Sequence, residues 1–285
     1  MSLRDWLTER IARFLTKPVA AYDLRGHDDF DRLKRHIRKG DVLLVEGDQR
    51  VSALIKYLTQ SSWSHAALYV GDELIQRAGE LREYALESFG DEAQHVLVEA
   101  LVDGVVASPI SKYSNFNVRL CRPHRLRTAD LEEILDDAVA SIGWRYDLRN
   151  IVDLAVHLLR VAILPRRYQR RALSLGSDVG TQVICTSLLG RLFHKVNFPV
   201  LPSVTFPDPP RVKAASRWSR WTWRRRGPAL YQGIFRRRHP TLLMPRDFDL
   251  SPYFEIVKFN VIEDRDFDYQ RIAWADEAQV GQDGD

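Results

Sequence analysis

Residues 63–71 read WSHAALYVG, a polar turn that runs directly into an apolar segment and is followed by Asp72. A short apolar run bounded by turn residues is typical of a buried strand. Residues 41–45, 95–100 and 116–120 are also short runs rich in strand-forming residues, and they are predicted to form an antiparallel sheet with this strand. Residues 251–261, SPYFEIVKFNV, are predicted to be the last strand.

Helical segments surround and follow these strands. Apolar residues recur at spacings of three and four, which predicts helices over residues 51–59, 131–142, 148–164 and 183–193. Strands followed by helices indicate an α+β fold, in which an antiparallel sheet packs against helices. Residues 199–210 hold five prolines and are predicted to be an extended connector without regular structure.

Composition excludes several classes of protein. A chain of 285 residues with 45% hydrophobic residues can bury a large core, so wholesale disorder is excluded. Two cysteines form no disulfide framework. Residues 211–239 hold ten of the 42 Lys and Arg and no acid, so the rest of the chain has 32 basic against 38 acidic residues. The mild net charge of +4 therefore conceals one strongly basic block on an otherwise slightly acidic chain.

The chain is predicted to have three parts. Residues 1–39 are an N-terminal amphipathic helix and linker, residues 40–262 the main domain, and residues 263–285 an acidic C-terminal tail. The helix, over residues 2–17, either packs on its own domain or lies on a membrane surface. Charges throughout the N-terminus and the absence of a long apolar run predict a cytoplasmic protein without a secretory signal or membrane span.

One set of residues could carry nucleophilic chemistry. Cys185 lies near the start of the helix predicted over residues 183–193, where unpaired N–H groups and the helix dipole favour a thiolate. His65 opens one predicted strand and could act as a base, and Glu99 in a neighbouring strand could orient it. Taken singly, Cys185 and His65 are more often structural residues, whereas a carboxylate in an apolar strand such as Glu99 needs a partner.

The contexts of these residues resemble a known family. GDVLL, WSHAALYVG, VLVEALVDGV, GWRYDLRN and VICTSLLGRLF occur in that order within residues 40–193, and DFDLSPYFEIVK follows near the end. Together they resemble the circularly permuted papain-like amidases, the YiiX/YaeF-type branch of the NlpC/P60 superfamily, in which the His strand precedes the Cys helix.

The resemblance implies a role for each matching residue. Cys185 would be the nucleophile, His65 the general base and acid, and Glu99 the residue that orients His65. Tyr146 and Asp147 match a segment that lines the cleft, although Asp147 could equally cap a helix, and Ser64 beside His65 is also expected to contact substrate. The family more often has Ser-Glu after the cysteine, where this chain has Thr186-Ser187. Cys121 is predicted to be structural.

Other chemistries find little support. The histidines show no close Cys or His ligand pair of the zinc type, and no Gly-rich phosphate loop occurs, so we expect no metal and no cofactor.

The basic block of residues 211–239 interleaves arginine with tryptophan. Arginine binds phosphates and tryptophan favours the bilayer interface, so an anionic membrane surface is the favoured partner, with nucleic acid and a solvated loop as alternatives. The residues expected to make this contact are Arg217, Trp218, Trp221, Trp223, Arg224, Arg225 and Arg226.

The sequence thus predicts a thiol hydrolase or acyltransferase that cleaves an amide or ester through a thioester. Its expected substrate is a lipid or lipid-linked molecule, and its expected location is the cytoplasm or the inner face of the membrane. The alternatives are a peptidoglycan-type peptide amidase and an inactive papain-like domain that binds membrane or nucleic acid through the basic block.

Overall fold

The fold is taken from a computed structural model that describes residues 29–77, 79–101, 104–144, 184–205 and 234–259. Its strands are β1 Val42–Val45, β2 His65–Gly71, β3 Val96–Leu101, β4 Gly104–Pro109, β5 Val118–Pro123, β6 Ser203–Thr205, β7 Ile234–Arg236 and β8 Phe254–Val257. Its α-helices are α1 Phe30–His36, α2 Arg50–Thr59, α3 Glu73–Gln76, α4 Glu80–Phe89, α5 Thr128–Ala140, α6 Ile184–Lys195 and α7 Pro245–Asp249. Short 3-10 turns cover Gly90–Gln94, Ile110–Tyr113 and Pro240–Leu242.

Six of the strands form one sheet in the order β4-β3-β2-β1-β5-β8. Every neighbouring pair is antiparallel, with β2 in the middle of the sheet between β1 and β3. The predicted α+β class, an antiparallel sheet packed against helices, is confirmed.

The sheet is buried on both faces. Successive side chains of a strand point to opposite faces, so each strand contributes to two cores. On one face α5 and α6 pack their apolar stripes against the sheet, through Ile134, Leu135, Ala138, Val139, Leu188, Leu189, Leu192 and Phe193. On the other face Leu33 of α1 joins Tyr69, Leu97 and Tyr113. Each fully buried leucine stabilises this arrangement by about 1.5–3 kcal/mol.

The structure corrects three of the predictions. Residues 104–109, which were not predicted to be a strand, form β4 at the edge of the sheet, where its terminal Pro109 is tolerated. The connector over residues 199–210 was predicted to lack regular structure, but Ser203–Thr205 pairs with β7. The last strand is shorter than residues 251–261, because Ser251 turns the chain and β8 covers only Phe254–Val257.

The helices predicted over residues 51–59, 131–142 and 183–193 correspond to α2, α5 and α6. The helices predicted over residues 2–17 and 148–164, the tail over 263–285 and residues 211–233 of the basic block lie outside the described residues. Among the helices that the structure describes, none has the length and apolar character needed to cross a membrane.

Candidate active site

His65 is placed by a tight turn that precedes β2. The Ser64 backbone N–H donates to the Val45 carbonyl (3.1 Å), and the Ser64 hydroxyl accepts a hydrogen bond from the Gly47 N–H (2.9 Å). Trp63 is anchored separately, through a hydrogen bond from its Nε1 to Asp249 (3.2 Å). These contacts hold the backbone at the first residue of β2, from which the imidazole of His65 projects.

Glu99 reaches His65 from the adjacent strand. The β2–β3 register pairs Leu68 with Val98, and alternation along the strands puts His65 and Glu99 on the face that carries Tyr69 and Leu97. The His65 Nε2 and the Glu99 Oε2 are 2.6 Å apart. Glu99 is only 1% exposed, so its carboxylate is removed from water and this contact is strong.

Cys185 approaches from the helix on the opposite side of the sheet. It is the second residue of α6, whose apolar residues pack on the other core, and α6 contacts both β2 and β3. The Cys185 thiol is buried and is a hydrogen-bond partner of His65. Since Nε2 faces Glu99, Nδ1 is the ring nitrogen left for the sulfur. The structure thus brings together the three residues that sequence analysis singled out.

The electrostatics of the site favour an imidazolium. Burial lowers the pKa of His65, but hydrogen bonds to Cys185 and Glu99 outweigh burial and raise that pKa to about 10. Burial likewise raises the pKa of Glu99, but His65 and Lys112 overcome it and hold the carboxyl well below its ordinary pKa. An imidazolium held between a carboxylate and a sulfur is the arrangement that a nucleophilic thiol requires.

Two further residues complete the site, and sequence analysis missed both. Lys112 Nζ lies 2.6 Å from Glu99 Oε1, and the Tyr113 hydroxyl donates to Glu99 Oε2 at 2.5 Å. Burial, followed by the Glu99 charge, raises the pKa of Tyr113, which therefore stays a neutral donor. A Lys-Tyr pair in a turn forms no motif. The one signal in the sequence was the need of a buried Glu99 for more than one partner.

The residues predicted to contact substrate have different positions. Ser64 is buried in the turn before His65, with its hydroxyl engaged by Gly47. Tyr146 and Asp147 lie outside the described residues.

Cys121 is a buried free cysteine like Cys185, but it lies in a different environment. It lies on β5 with its side chain wholly buried. Burial, and then the charge of Asp249, raise the pKa of its thiol, so the protonated form is favoured. Cys121 therefore serves as an internal comparison for the reactivity of Cys185.

The described residues contain no group of three or more His, Cys, Asp or Glu side chains placed to hold a metal ion. No protein-family model matches the chain, and no curated protein matches it in sequence. Among solved structures the chain is similar to the crystal structure of metalloprotein yiiX from Escherichia coli O157:H7, DUF1105. The TM-score is 0.41 at 13% identity, and the match covers 78% of this chain and 96% of that chain.

Proposed function

We propose that this protein is a cysteine-dependent hydrolase or acyltransferase with a circularly permuted papain-like fold. The observation that carries the proposal is the single imidazole of His65, which is hydrogen-bonded to the Cys185 thiol and, at 2.6 Å, to the buried carboxylate of Glu99. A nucleophile, a base and a group that orients the base are the three parts of covalent thiol catalysis. They occur along the chain in the order His65, Glu99, Cys185, as in permuted relatives of papain.

The first half of the reaction forms an acyl-enzyme. His65 takes the thiol proton, and the Cys185 thiolate attacks the carbonyl carbon of an amide or ester, forming a bond between Sγ and carbon. The bond from that carbon to the leaving nitrogen or oxygen then breaks. His65 returns the proton to the leaving amine or alcohol, which departs, and a thioester remains on Cys185.

The second half releases the acyl group. Neutral His65 takes a proton from water, or from an acceptor amine or alcohol, and the resulting nucleophile attacks the thioester carbon. The bond between carbon and Sγ breaks, and the proton passes from His65 to the departing sulfur. Water gives a carboxylic acid, whereas an amine or alcohol acceptor gives a transferred acyl group.

The proposed substrate is a lipid or lipid-linked acyl compound, in keeping with the basic, tryptophan-rich block of residues 211–239. A peptidoglycan-type peptide is the alternative for the same chemistry. Both substrates present the amide or ester carbonyl that Cys185 would attack.

Acyl trapping tests the chemistry and the substrate class together. The full chain is incubated with a fatty-acyl acyloxymethyl ketone probe and with a peptidyl acyloxymethyl ketone probe, and the labelled residue is located by mass spectrometry. We expect labelling of Cys185, faster with the fatty-acyl probe, and its loss in His65→Ala. Labelling of Cys121 in place of Cys185, or equal labelling in His65→Ala, would contradict the mechanism. Faster labelling by the peptidyl probe would contradict the lipid substrate alone.

A further inference from the structure

The Glu99 carboxylate is held by more than the histidine it orients. Its Oε2 accepts hydrogen bonds from His65 Nε2 and the Tyr113 hydroxyl, and its Oε1 is paired with Lys112 Nζ at 2.6 Å. An ionised carboxylate that is 1% exposed loses its hydration and must be compensated by such partners.

The charge of His65 changes during the proposed reaction, whereas the charge of Lys112 does not. When His65 gives its proton to a leaving group, Glu99 loses its cationic partner on that side. Lys112 then remains as a permanent cation on the other oxygen, and Glu99 stays ionised. Neutral His65 can therefore keep its proton on Nε2, directed at Glu99, with Nδ1 free to accept a proton.

The turn that carries both residues is firmly anchored. Ile110–Tyr113 follows β4 directly, its Ile110 is fully buried, and the Ile110 N–H donates to the His95 carbonyl (2.9 Å). Lys112 Nζ also lies 3.4 Å from Ser108 Oγ and 5.3 Å from the centre of the Tyr113 ring. These contacts favour the placement of the lysine ammonium group on Glu99.

We propose that Lys112 and Tyr113 are positioning residues, which hold Glu99 as an ionised acceptor and share its charge so that His65 stays oriented but can release its proton. This inference rests on the thiol chemistry proposed above, and it concerns the control of His65 within it. Among the described residues, the charged and titratable groups that face His65 are Cys185 from α6, Glu99 from β3 and Tyr113 from the turn, with ring centres of His65 and Tyr113 6.0 Å apart. Lys112 reaches His65 through Glu99.

The test is the titration of His65 itself. In the full chain carrying Cys185→Ser, with ¹⁵N-labelled histidine, NMR follows the imidazole nitrogens across the pH range. Replacing Lys112 by methionine leaves His65 as the one cationic partner of Glu99 among the described residues, with Tyr113 still donating to it, so we expect the His65 pKa to rise by about one unit. Lys112→Arg keeps the charge and should restore the parent value.

Matched controls separate positioning from general damage. Lys56→Met removes another lysine, 3.3 Å from the buried Glu46, and should leave the His65 titration unchanged. Should Lys112→Met fail to fold, Tyr113→Phe should shift the pKa in the same direction by a smaller amount, with Tyr69→Phe as its control.

An unchanged or lower His65 pKa in Lys112→Met, or an equal rise in Lys56→Met, would overturn the inference. The titration uses a chain that lacks the Cys185 thiol, so its outcome does not depend on the acyl trapping. If the His65 pKa did not rise in Lys112→Met, the thiol mechanism would stand and only the role of Lys112 would be removed.

Discussion

The partners of Glu99 could be predicted only in part from its residue type and position in the sequence. A glutamate within VLVEA is costly to bury, which predicts a partner, and His65 was predicted to be that partner. The structure places the pair at 2.6 Å. Lys112 and Tyr113 were not predictable, because a hydrogen bond formed through a turn leaves no periodic signal in the sequence.

His65, held by Cys185 and by Glu99, should make stability depend on pH. The pKa of His65 is raised from 6.5 to about 10 in the folded state, so the stabilisation is complete below about pH 6.5 and is lost as the pH rises towards 10. We expect Glu99→Gln to cost about 3 kcal/mol at pH 6, because it removes one partner of a buried ion pair.

Chemical denaturation of the parent and Glu99→Gln between pH 6 and 10 measures this difference, which should shrink as the pH rises. Glu46→Gln removes a carboxylate bound to Lys56 and Asn117 and should show no such decline over that range. A difference for Glu99→Gln that stays constant to pH 10 would rule out a protonated His65 as the partner.

At the scale of elements, the helix that carries Cys185 is held by a segment that follows the basic block. The Thr186 hydroxyl donates to the Leu243 carbonyl, and Gly190 packs closely against the turn Pro240–Leu242. The apolar spacing of residues 183–193 predicted this helix, since periodicity is a local property. What packs on it could not be predicted, because Leu243 lies far along the chain and no local pattern encodes that contact.

Gly190 is the point of closest approach in this contact. A Cβ added there would lie 2.6 Å from Leu243 Cδ1 and 3.2 Å from the Pro240 Cα. Overpacking costs about 1–3 kcal/mol, whereas alanine gains only about 1 kcal/mol in helix propensity, so Gly190→Ala should reduce the free energy of unfolding.

Denaturant unfolding of the parent and Gly190→Ala measures this loss of free energy. In a Leu243→Ala background, which removes the crowded side chain, Gly190→Ala should reduce the free energy of unfolding by less. A net gain of stability in Gly190→Ala would show that α6 and the turn Pro240–Leu242 are not packed as described.

At the scale of the whole molecule, the site forms where two layers meet. His65 and Glu99 belong to the sheet, and Cys185 to a helix that packs on the face opposite to theirs. The α+β class followed from the order of elements along the chain. The order of strands in the sheet did not, because pairing between distant segments such as β5 and β8 depends on contacts that a single sequence does not display.

The end of the basic block lies beside the helix that carries Cys185. The Arg237 guanidinium donates to the His194 carbonyl (3.4 Å) and to Asn197, at the C-terminal end of α6, where a cation interacts favourably with the helix dipole. The tryptophans and arginines predicted to bind an anionic membrane, residues 217–226, lie outside the described residues, and that role stays a prediction.

The most direct test of the central claim, that His65 activates Cys185, is the rate at which iodoacetamide alkylates Cys185 at pH 6, followed by mass spectrometry. A thiol with the ordinary pKa near 8.5 is only about 0.3% ionised at that pH, so fast reaction requires a partner that favours the thiolate. We predict rapid alkylation of Cys185, little of the buried Cys121, and a decrease of about tenfold or more for Cys185 in His65→Ala. Equal rates at Cys185 in the parent and His65→Ala would contradict the account.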